Sequence, residues 1–141
     1  MQKPKKVGVA LSSRESAQLV FEACQKVFQR QKIVLVVQKK LDAQEVRQNK
    51  EFLQSDIIIC FGGDGSFLKM AQAIQKPVPV FLVGTGERNY LSTIRAEEAP
   101  KKIEEILQGK YRIEKRNRLT SNLPDSPLAL NEIAIVPQPS A

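Results

Sequence analysis

The segment at residues 56–61, Asp-Ile-Ile-Ile-Cys-Phe, constrains the fold of this chain more than any other part of it. Three β-branched residues in succession favour a strand. Five consecutive apolar positions indicate a strand that is covered on both faces, as in a parallel sheet between two layers of helices. Gly62-Gly63-Asp64-Gly65 follows at once, so we expect a tight connection from this strand into a helix.

The same succession of strand and helix recurs along the first 110 residues. Patterns of apolar residues predict strands at 7–11, 33–37, 56–61 and 80–83, and helices at 14–31, 43–54, 66–75 and 100–108. Alternation of this kind predicts an α/β fold, a three-layer Rossmann-like and mostly parallel sheet with helices on both faces. Ligands of such sheets bind beyond the carboxyl ends of the strands, where the strand order switches. We therefore expect the glycine loops at 62–65 and 84–86 to lie side by side at that edge.

Beyond residue 110 the pattern changes. Tyr111–Leu119 and Leu128–Val136 are predicted to be two strands around a polar connection, and no helix separates them. Strands joined in this way pair in antiparallel fashion. The chain is accordingly divided into an α/β domain at 1–110 and a β segment at 111–141.

The composition excludes several classes of function. The chain has 22 Lys and Arg against 15 Asp and Glu, a net charge of +7, which favours an anionic partner; a merely basic surface is an equally weighted alternative. Aromatic residues make up only 6% and Trp is absent, so we predict no specific nucleic acid partner. Because the chain has no His, it contains no Ser/His/Asp triad and no His-containing zinc site.

The two cysteines, Cys24 and Cys60, lie in apolar segments with no metal-binding spacing. We interpret them as buried thiols and predict no metal-ligating cluster. Buried free thiols favour a reducing compartment, and we expect a cytoplasmic protein. The longest apolar run is far too short to cross a bilayer, so no membrane partner is predicted.

The glycine-rich turn has its own chemistry. Glycines at 62, 63 and 65 permit backbone angles that other residues avoid, and they let a ligand approach the backbone closely. The helix that follows directs unpaired N–H groups and its positive dipole end at the same place, which favours phosphate. A carboxylate beside phosphate is useful if Asp64 binds Mg²⁺ or takes a proton from an attacking hydroxyl. The alternative is a tight turn with an aspartate cap.

Phe61-Gly62-Gly63-Asp64-Gly65-Ser66-Phe67-Leu68-Lys69 resembles the signature of the NAD kinases. Three later passages are similar to that family in order and spacing, namely Val78–Leu91, Ile103–Leu119 and Leu128–Ile135. Phosphofructokinases and diacylglycerol-type lipid kinases share the glycine turn but match the last two passages less well. The resemblance covers residues 57–136 well and the first 55 only by pattern.

The resemblance implies a role for each matching residue. Asp64 would be the base that acts on the ribose 2′-hydroxyl of NAD, and ATP or polyphosphate would donate the phosphate with Mg²⁺. Residues expected to bind the nucleotides are Gly62, Gly63, Gly65, Lys69, Asn131 and Glu132. A solvent-facing helix lysine is the alternative for Lys69, and a capped strand end is the alternative for Asn131 and Glu132.

Two departures from the family pattern affect what is expected. The second family loop usually reads Asn-x-Gly-x-Leu-Gly-Phe-Leu, whereas this chain has Gly84 in place of the Asn and Asn89 in place of the second Gly. Asn tolerates left-handed backbone angles, so the turn can survive at Asn89. Family members also continue past 131–132 into a β-rich domain, which we expect to be missing here, along with its NAD contacts and its oligomer contact.

The sequence thus predicts an NAD kinase-like phosphotransferase domain whose partners are NAD and nucleotide phosphates. It would form a homo-oligomer, or bind a partner, through the missing domain. The alternative hypotheses are a non-catalytic nucleotide-binding or regulatory subunit and a sugar or lipid kinase of related fold.

Overall fold

A computed structural model of the chain describes residues 2–124 and 128–130. The strands are β1 (Lys6–Leu11), β2 (Val34–Gln38), β3 (Ile57–Gly62), β4 (Val80–Gly84) and β5 (Ile94–Arg95). The helices are α1 (Glu15–Arg30), α2 (Ala43–Gln48), α3 (Lys50–Leu53), α4 (Asp64–Ala71) and α5 (Ala99–Leu107). A single 3-10 turn, Ala96–Glu98, precedes α5.

The strands form one parallel sheet in the order β2-β1-β3-β4-β5. Val9 of β1 pairs with Val37 of β2 on one side and with Ile59 of β3 on the other. From β1 the chain first moves outward to β2 and then crosses back to β3, so the strand order switches between β1 and β3. The predicted parallel α/β fold is confirmed, and its switch point lies at the strand that carries the glycine turn.

Helices cover both faces of the sheet, as the continuously apolar β3 predicts. Ile57, Ile59 and Phe61 pack into one core with α1 and α5. Ile58 and Cys60 point to the opposite face and pack with α2, α3 and α4. Successive side chains of a strand alternate between faces, so a strand between two helix layers has to be apolar at every position.

The helix predicted at 43–54 is two helices. Asn49 interrupts it, because its side-chain Oδ1 accepts the N–H of Phe52 at 3.1 Å and caps the start of α3. Because α3 begins anew at this break, Phe52 lies in the core with no exposed surface. Leu53, which was predicted to point inward, is only half-buried. Val46 is buried as predicted. The two-residue strand β5 was not predicted.

Both ends of α5 carry the residues that the sequence predicts there. Pro100 lies in the first turn of the helix, and Gly109 follows its last turn with a φ of 81°. Glycine adopts this left-handed angle without steric cost, and the N–H of Gly109 bonds to the carbonyl of Ile106 at 2.9 Å.

The prediction of a strand at Tyr111–Leu119 is wrong for the first eight of these residues. Residues 110–118 form no strand, and the ring of Tyr111 packs edge-on against that of Phe81, with ring centroids 5.2 Å apart. Leu119 and Ala129 do form one antiparallel bridge, with N–H···O distances of 2.6 and 2.7 Å. The predicted antiparallel direction is confirmed at that bridge, and residues 131–136 of the second predicted strand lie outside the described residues.

In the part of the chain that the structure describes, no helix is both long and apolar enough to cross a bilayer.

Candidate functional site

Three strand ends meet at the carboxyl edge of the sheet. The N–H of Ser12, just after β1, bonds to the carbonyl of Phe61 at 3.0 Å. The N–H of Thr85, just after β4, bonds to the carbonyl of Gly62 at 3.0 Å. A Cβ placed on Gly86 would lie 3.7 Å from the Cα of Gly63. The two glycine loops therefore lie side by side at the switch point, as predicted.

The three glycines of the turn differ in what surrounds them. A Cβ on Gly62 would lie 3.2 Å from the Cβ atoms of Ser12 and Ser66, so this glycine allows close packing. A Cβ on Gly63 or Gly65 would have no neighbour within 4 Å. These two residues therefore present bare backbone to open space, where a ligand can approach closely.

The expectation of unusual backbone angles at this turn is wrong. Among the glycines of the described residues, only Gly109 has a positive φ, and Gly63 is extended with φ −92° and ψ 178°. The strand passes straight into a helix that begins at Asp64, two residues before the predicted start at Ser66, and that ends at Ala71. Strand and helix both use ordinary angles, so the turn needs glycine for space and not for conformation.

The N-terminus of α4 carries no side-chain cap. Its N-cap is Gly63, which has no side chain, and the first helical bond runs from the N–H of Phe67 to the carbonyl of Gly63 at 3.2 Å. The N–H groups of the first turn have no intrahelical partner. With the positive end of the helix dipole they form a ready site for an anionic oxygen, beside the open space at Gly63 and Gly65.

Asp64 is bound by the second glycine loop. Its Oδ2 accepts the N–H of Tyr90 at 2.8 Å, and its Oδ1 accepts the N–H of Leu91 at 3.1 Å. The residue is half-buried. The carboxylate thus holds loop 84–92 against α4 and is not the helix cap that the alternative interpretation requires. Each oxygen keeps a second lone pair, with which Asp64 can still accept a proton or bind a cation.

Loop 84–92 is folded around the side chain of Asn89. Its Nδ2 donates to the carbonyl of Gly86 at 2.8 Å, and its Oδ1 accepts the N–H of Gly86 at 3.2 Å. A Cβ on Gly84 would lie only 2.6 Å from the Cγ of Asn89 and 2.6 Å from the Oγ of Ser92. The amide of Asn89 fills the space that a side chain at position 84 would take, so the two departures from the family pattern compensate each other.

Among the other predicted binding residues, Lys69 lies in the described part of the chain, and no described contact brings it to this edge. Lys69 is exposed in the last turn of α4. It lies five residues from Asp64, which corresponds to about 7.5 Å along the helix axis. It forms no ion pair within residues 2–124 and 128–130. Asn131 and Glu132 lie outside the described residues.

A bound divalent cation would find one protein ligand here. No group of three or more His, Cys, Asp or Glu side chains could hold a metal ion in the described part of the chain. Mg²⁺, however, keeps several waters and is commonly bound by one or two carboxylates together with substrate phosphates. Asp64, beside an uncapped helix N-terminus, fits that mode of binding.

The cysteines take no part in this site. Both are free and buried, and burial raises the pKa of Cys24 to about 11 and that of Cys60 to about 12. A thiol with such a pKa stays protonated at neutral pH and is a poor nucleophile. The prediction of buried core thiols is confirmed.

Three comparisons place these features among known proteins. Residues 6–111 match the family model described as the ATP-NAD kinase N-terminal domain. The chain is 39% identical to an NAD kinase of Bacteroides fragilis over 93 residues, 62% of this chain and 32% of the relative. It is 36% identical to an NAD kinase of Clostridium botulinum over 93 residues, 62% of this chain and 33% of that relative.

Two solved structures have the same fold. A crystal structure of an NAD kinase from Archaeoglobus fulgidus in complex with ATP matches 86% of this chain and 45% of its own, with a TM-score of 0.67 and 19% identity. Yeast NADH kinase complexed with NADH matches 91% of this chain and 47% of its own, with a TM-score of 0.66 and 16% identity. The chain therefore spans about a third of the curated relatives named above and less than half of these solved chains.

Proposed function

Because this chain belongs to the NAD kinase family, we propose that it forms the nucleotide-binding domain of an enzyme that phosphorylates the 2′-hydroxyl of the NAD adenosine ribose. The product is NADP, and the phosphate comes from ATP or polyphosphate. The α/β domain ends at about residue 110, and the segment at 111–141 leads toward a β-rich domain that completes the NAD site and makes the oligomer contact.

The observation that supports this proposal best is the junction of β3 and α4. Uncapped N–H groups and a helix dipole end face a space that Gly63 and Gly65 leave open. Such a junction binds phosphate oxygens through the backbone and needs no basic side chain. Phosphoryl transfer depends mainly on positioning and on stabilising charge, which is what this edge offers.

In the proposed reaction Asp64 is the base. It takes the proton of the ribose 2′-hydroxyl as that oxygen attacks the terminal phosphorus of the donor. The bond from this phosphorus to its bridging oxygen breaks, and ADP, or polyphosphate shortened by one phosphate, leaves. The N–H groups of Tyr90 and Leu91 hold the carboxylate in one orientation, with one hydrogen bond to each oxygen. Bound Mg²⁺ would neutralise charge on the donor phosphates. The alternative role of Asp64 is to bind this cation instead of taking the proton.

The remaining predicted residues complete the proposal. Asn131 and Glu132 bind the adenosine part of NAD, and Lys69 lies near the dinucleotide. The two free buried cysteines support action in the reducing cytoplasm.

The test is NADP formation. The 141-residue chain, and the longer chain wherever the natural sequence continues, would be incubated with NAD, Mg²⁺ and either ATP or polyphosphate. NADP that forms with one donor identifies that donor. A longer chain that binds neither NAD nor ATP, and forms no NADP with either donor, contradicts the proposal.

A loop variant separates catalysis from folding at this site. Asp64→Asn removes the base and also disturbs the loop, because the amide nitrogen cannot accept a backbone N–H. Asn89→Ala disturbs the loop and leaves the carboxylate in place. We expect Asp64→Asn to abolish NADP formation and Asn89→Ala to reduce it only partly; equal losses would assign Asp64 to loop structure alone.

A further inference from the structure

The loop that follows β1, Ser12-Ser13-Arg14, lies against the glycine turn. The N–H of Ser12 bonds to the carbonyl of Phe61 at 3.0 Å. A Cβ on Gly62 would lie 3.2 Å from the Cβ of Ser12 and 3.2 Å from that of Ser66. Ser12 is buried, with 7% of its surface exposed. This loop is therefore a fixed neighbour of the first turn of α4.

The connections after β1 and β3 leave the sheet in opposite directions. α1 packs with α5 on the face that holds Phe61, whereas α4 packs on the face that holds Cys60. The strand order switches between these two strands. Loops that diverge at a switch point leave a crevice between them, where ligands of open α/β sheets bind. Loop 12–14 forms one wall of this crevice, and turn 62–65 forms the other.

Arg14 brings a positive charge to the first wall. It is exposed and is the N-cap residue of α1. Its N–H donates to the Oγ of Ser12 at 3.4 Å, so the loop turns back on its buried residue. Arg14 follows Ser12 by two residues, and no more than about 7 Å of chain separates them. The long side chain of Arg14 therefore starts close to the contact between Ser12 and Gly62.

The position of this charge is unfavourable for the protein alone. Arg14 forms no ion pair within residues 2–124 and 128–130. It lies at the positive end of the α1 dipole, where a cation destabilises a helix and where Ser, Asp or Asn would cap it. Glu15, in the first turn, suits the dipole but is not paired with Arg14. An anion bound in the crevice would turn this unfavourable charge into a favourable one.

We propose, resting on the function proposed above, that Arg14 binds the phosphates of the donor and that loop 12–14 is the second wall of the phosphate site. The N–H groups at the start of α4 bind phosphate oxygens from one side. The guanidinium binds them from the other side, with a planar pair of N–H donors that matches two phosphate oxygens. Its charge also offsets the repulsion between the donor phosphates and the carboxylate of Asp64.

A matched control lies at the other end of the same helix. Arg30 is exposed in the last turn of α1, about 24 Å from Arg14 along the axis, and forms no ion pair in the described part of the chain. Arg14→Gln and Arg30→Gln remove the same charge, so they weaken the general attraction of this basic protein for anions equally. Arg14→Lys keeps the charge and removes the planar pair of donors.

The first measurement is calorimetric titration of the full natural chain with inorganic tripolyphosphate, which carries phosphates without a base or a ribose. We expect Arg14→Gln to weaken the affinity about tenfold, as for loss of a charge-assisted hydrogen bond. Arg30→Gln should stay within about twofold, and Arg14→Lys should recover part of the loss. Equal losses in the two Gln variants, or an unchanged affinity in Arg14→Gln, would overturn the proposal.

The second measurement is the melting temperature without phosphate, which separates binding from folding. Arg14→Gln should melt slightly above the unmodified chain, because a cation is removed from the positive end of the dipole. Arg30→Gln should melt slightly below it, because a cation is removed from the negative end. If Arg14→Gln melts lower, as Arg30→Gln does, Arg14 serves the stability of α1 and the proposal is overturned.

NADP formation separates this proposal from the proposed function. We expect Arg14→Gln to raise KM for ATP about tenfold and Arg30→Gln to leave it within about twofold. If the unmodified full chain forms no NADP, the proposed function is contradicted, and the affinity for tripolyphosphate still decides the role of Arg14. If NADP forms and Arg14→Gln leaves KM for ATP unchanged, the role of Arg14 is overturned while the proposed function is retained.

Discussion

An aspartate at each end of β3 accepts two backbone N–H groups, but the surroundings of the two carboxylates differ. Asp56, just before the strand, accepts the N–H groups of Lys5 and Lys6 on one carboxylate oxygen, at 2.8 and 2.9 Å. Asp64, just after the strand, accepts two N–H groups of loop 84–92, one on each oxygen. Each aspartate ties a neighbouring segment to the central strand.

What lies beside each carboxylate distinguishes the two. Asp56 is exposed and sits at the amino end of the sheet, where two lysines supply the N–H groups. Asp64 is half-buried in the first turn of α4, between two glycines that leave open space. Hydrogen bonds to a carboxylate therefore do not by themselves indicate function. A helix N-terminus with room for a ligand beside the carboxylate does indicate it.

The largest expected effect separates the two aspartates in activity. Asp64→Asn should lower kcat for NADP formation by at least about 100-fold, the usual contribution of a general base. Asp56→Asn should leave kcat within about twofold, because the residue lies at the opposite end of β3. Urea denaturation of both variants would show whether they lose similar stability. Comparable losses of kcat in Asp64→Asn and Asp56→Asn would contradict a catalytic role that belongs to Asp64 alone.

The loop that binds Asp64 is tested by a double-mutant cycle. Gly84→Ala places a methyl group 2.6 Å from the Cγ of Asn89, so we expect about 1–3 kcal/mol of destabilisation from overpacking. In the Asn89→Gly background that atom is gone while the Oγ of Ser92, also at 2.6 Å, remains, so the cost should fall only in part, by about 1 kcal/mol. The measurement is the free energy of unfolding of the four proteins. Additive effects would mean that the two positions do not share the space.

The glycines of the turn should respond with opposite signs. Gly65→Ala adds a methyl group in open space within a helix, so folding should be stabilised by up to about 1 kcal/mol. The same methyl group obstructs the approach of phosphate, and affinity for ATP should fall. Gly62→Ala meets Ser12 and Ser66 at 3.2 Å and should destabilise the fold. Calorimetric ATP titration and thermal melts measure both quantities; tighter ATP binding by Gly65→Ala would contradict the site.

The smallest effect concerns the pH dependence of stability at the amino end. Hydrogen bonds from the N–H groups of Lys6 and Lys5 lower the pKa of the Asp56 carboxyl below its ordinary value of 3.8. A carboxyl whose pKa is lower when folded stabilises the protein above its unfolded pKa, and this is lost as the pH falls through the folded value. Asp56→Asn should remove that part of the dependence below about pH 4. Chemical denaturation at pH 7 and pH 3 would measure the change in the free energy of unfolding between the two pH values. An equal change in the unmodified protein and in Asp56→Asn would contradict the prediction.

Much of the fold could be predicted because its signals are local. The apolar run at 57–61 requires cover on both faces, and the apolar period of residues 15–30 requires a helix. The elements that were mispredicted depend on contacts between distant residues. Asn49 ends a helix by capping the next one, and β5 exists only beside β4. Residues 110–118 form no strand, and their described contacts are made by side chains such as Tyr111 and Arg118.

The features of the candidate site also separate into local ones, which the sequence predicts, and contacts between distant residues, which it does not. The sequence by itself determined that a strand ends in Gly62-Gly63-Asp64-Gly65, that a helix follows, and that the family resembled is the NAD kinases, since residue type and spacing are written in the chain. Only the tertiary structure decided that Asp64 binds the loop of Tyr90 and Leu91, that Asn89 fills the space at Gly84, and that Ser12 lies beside Gly62. These contacts join residues that are close in space because the sheet orders its strands 2-1-3-4-5, and no local pattern encodes which distant backbone groups that order brings together.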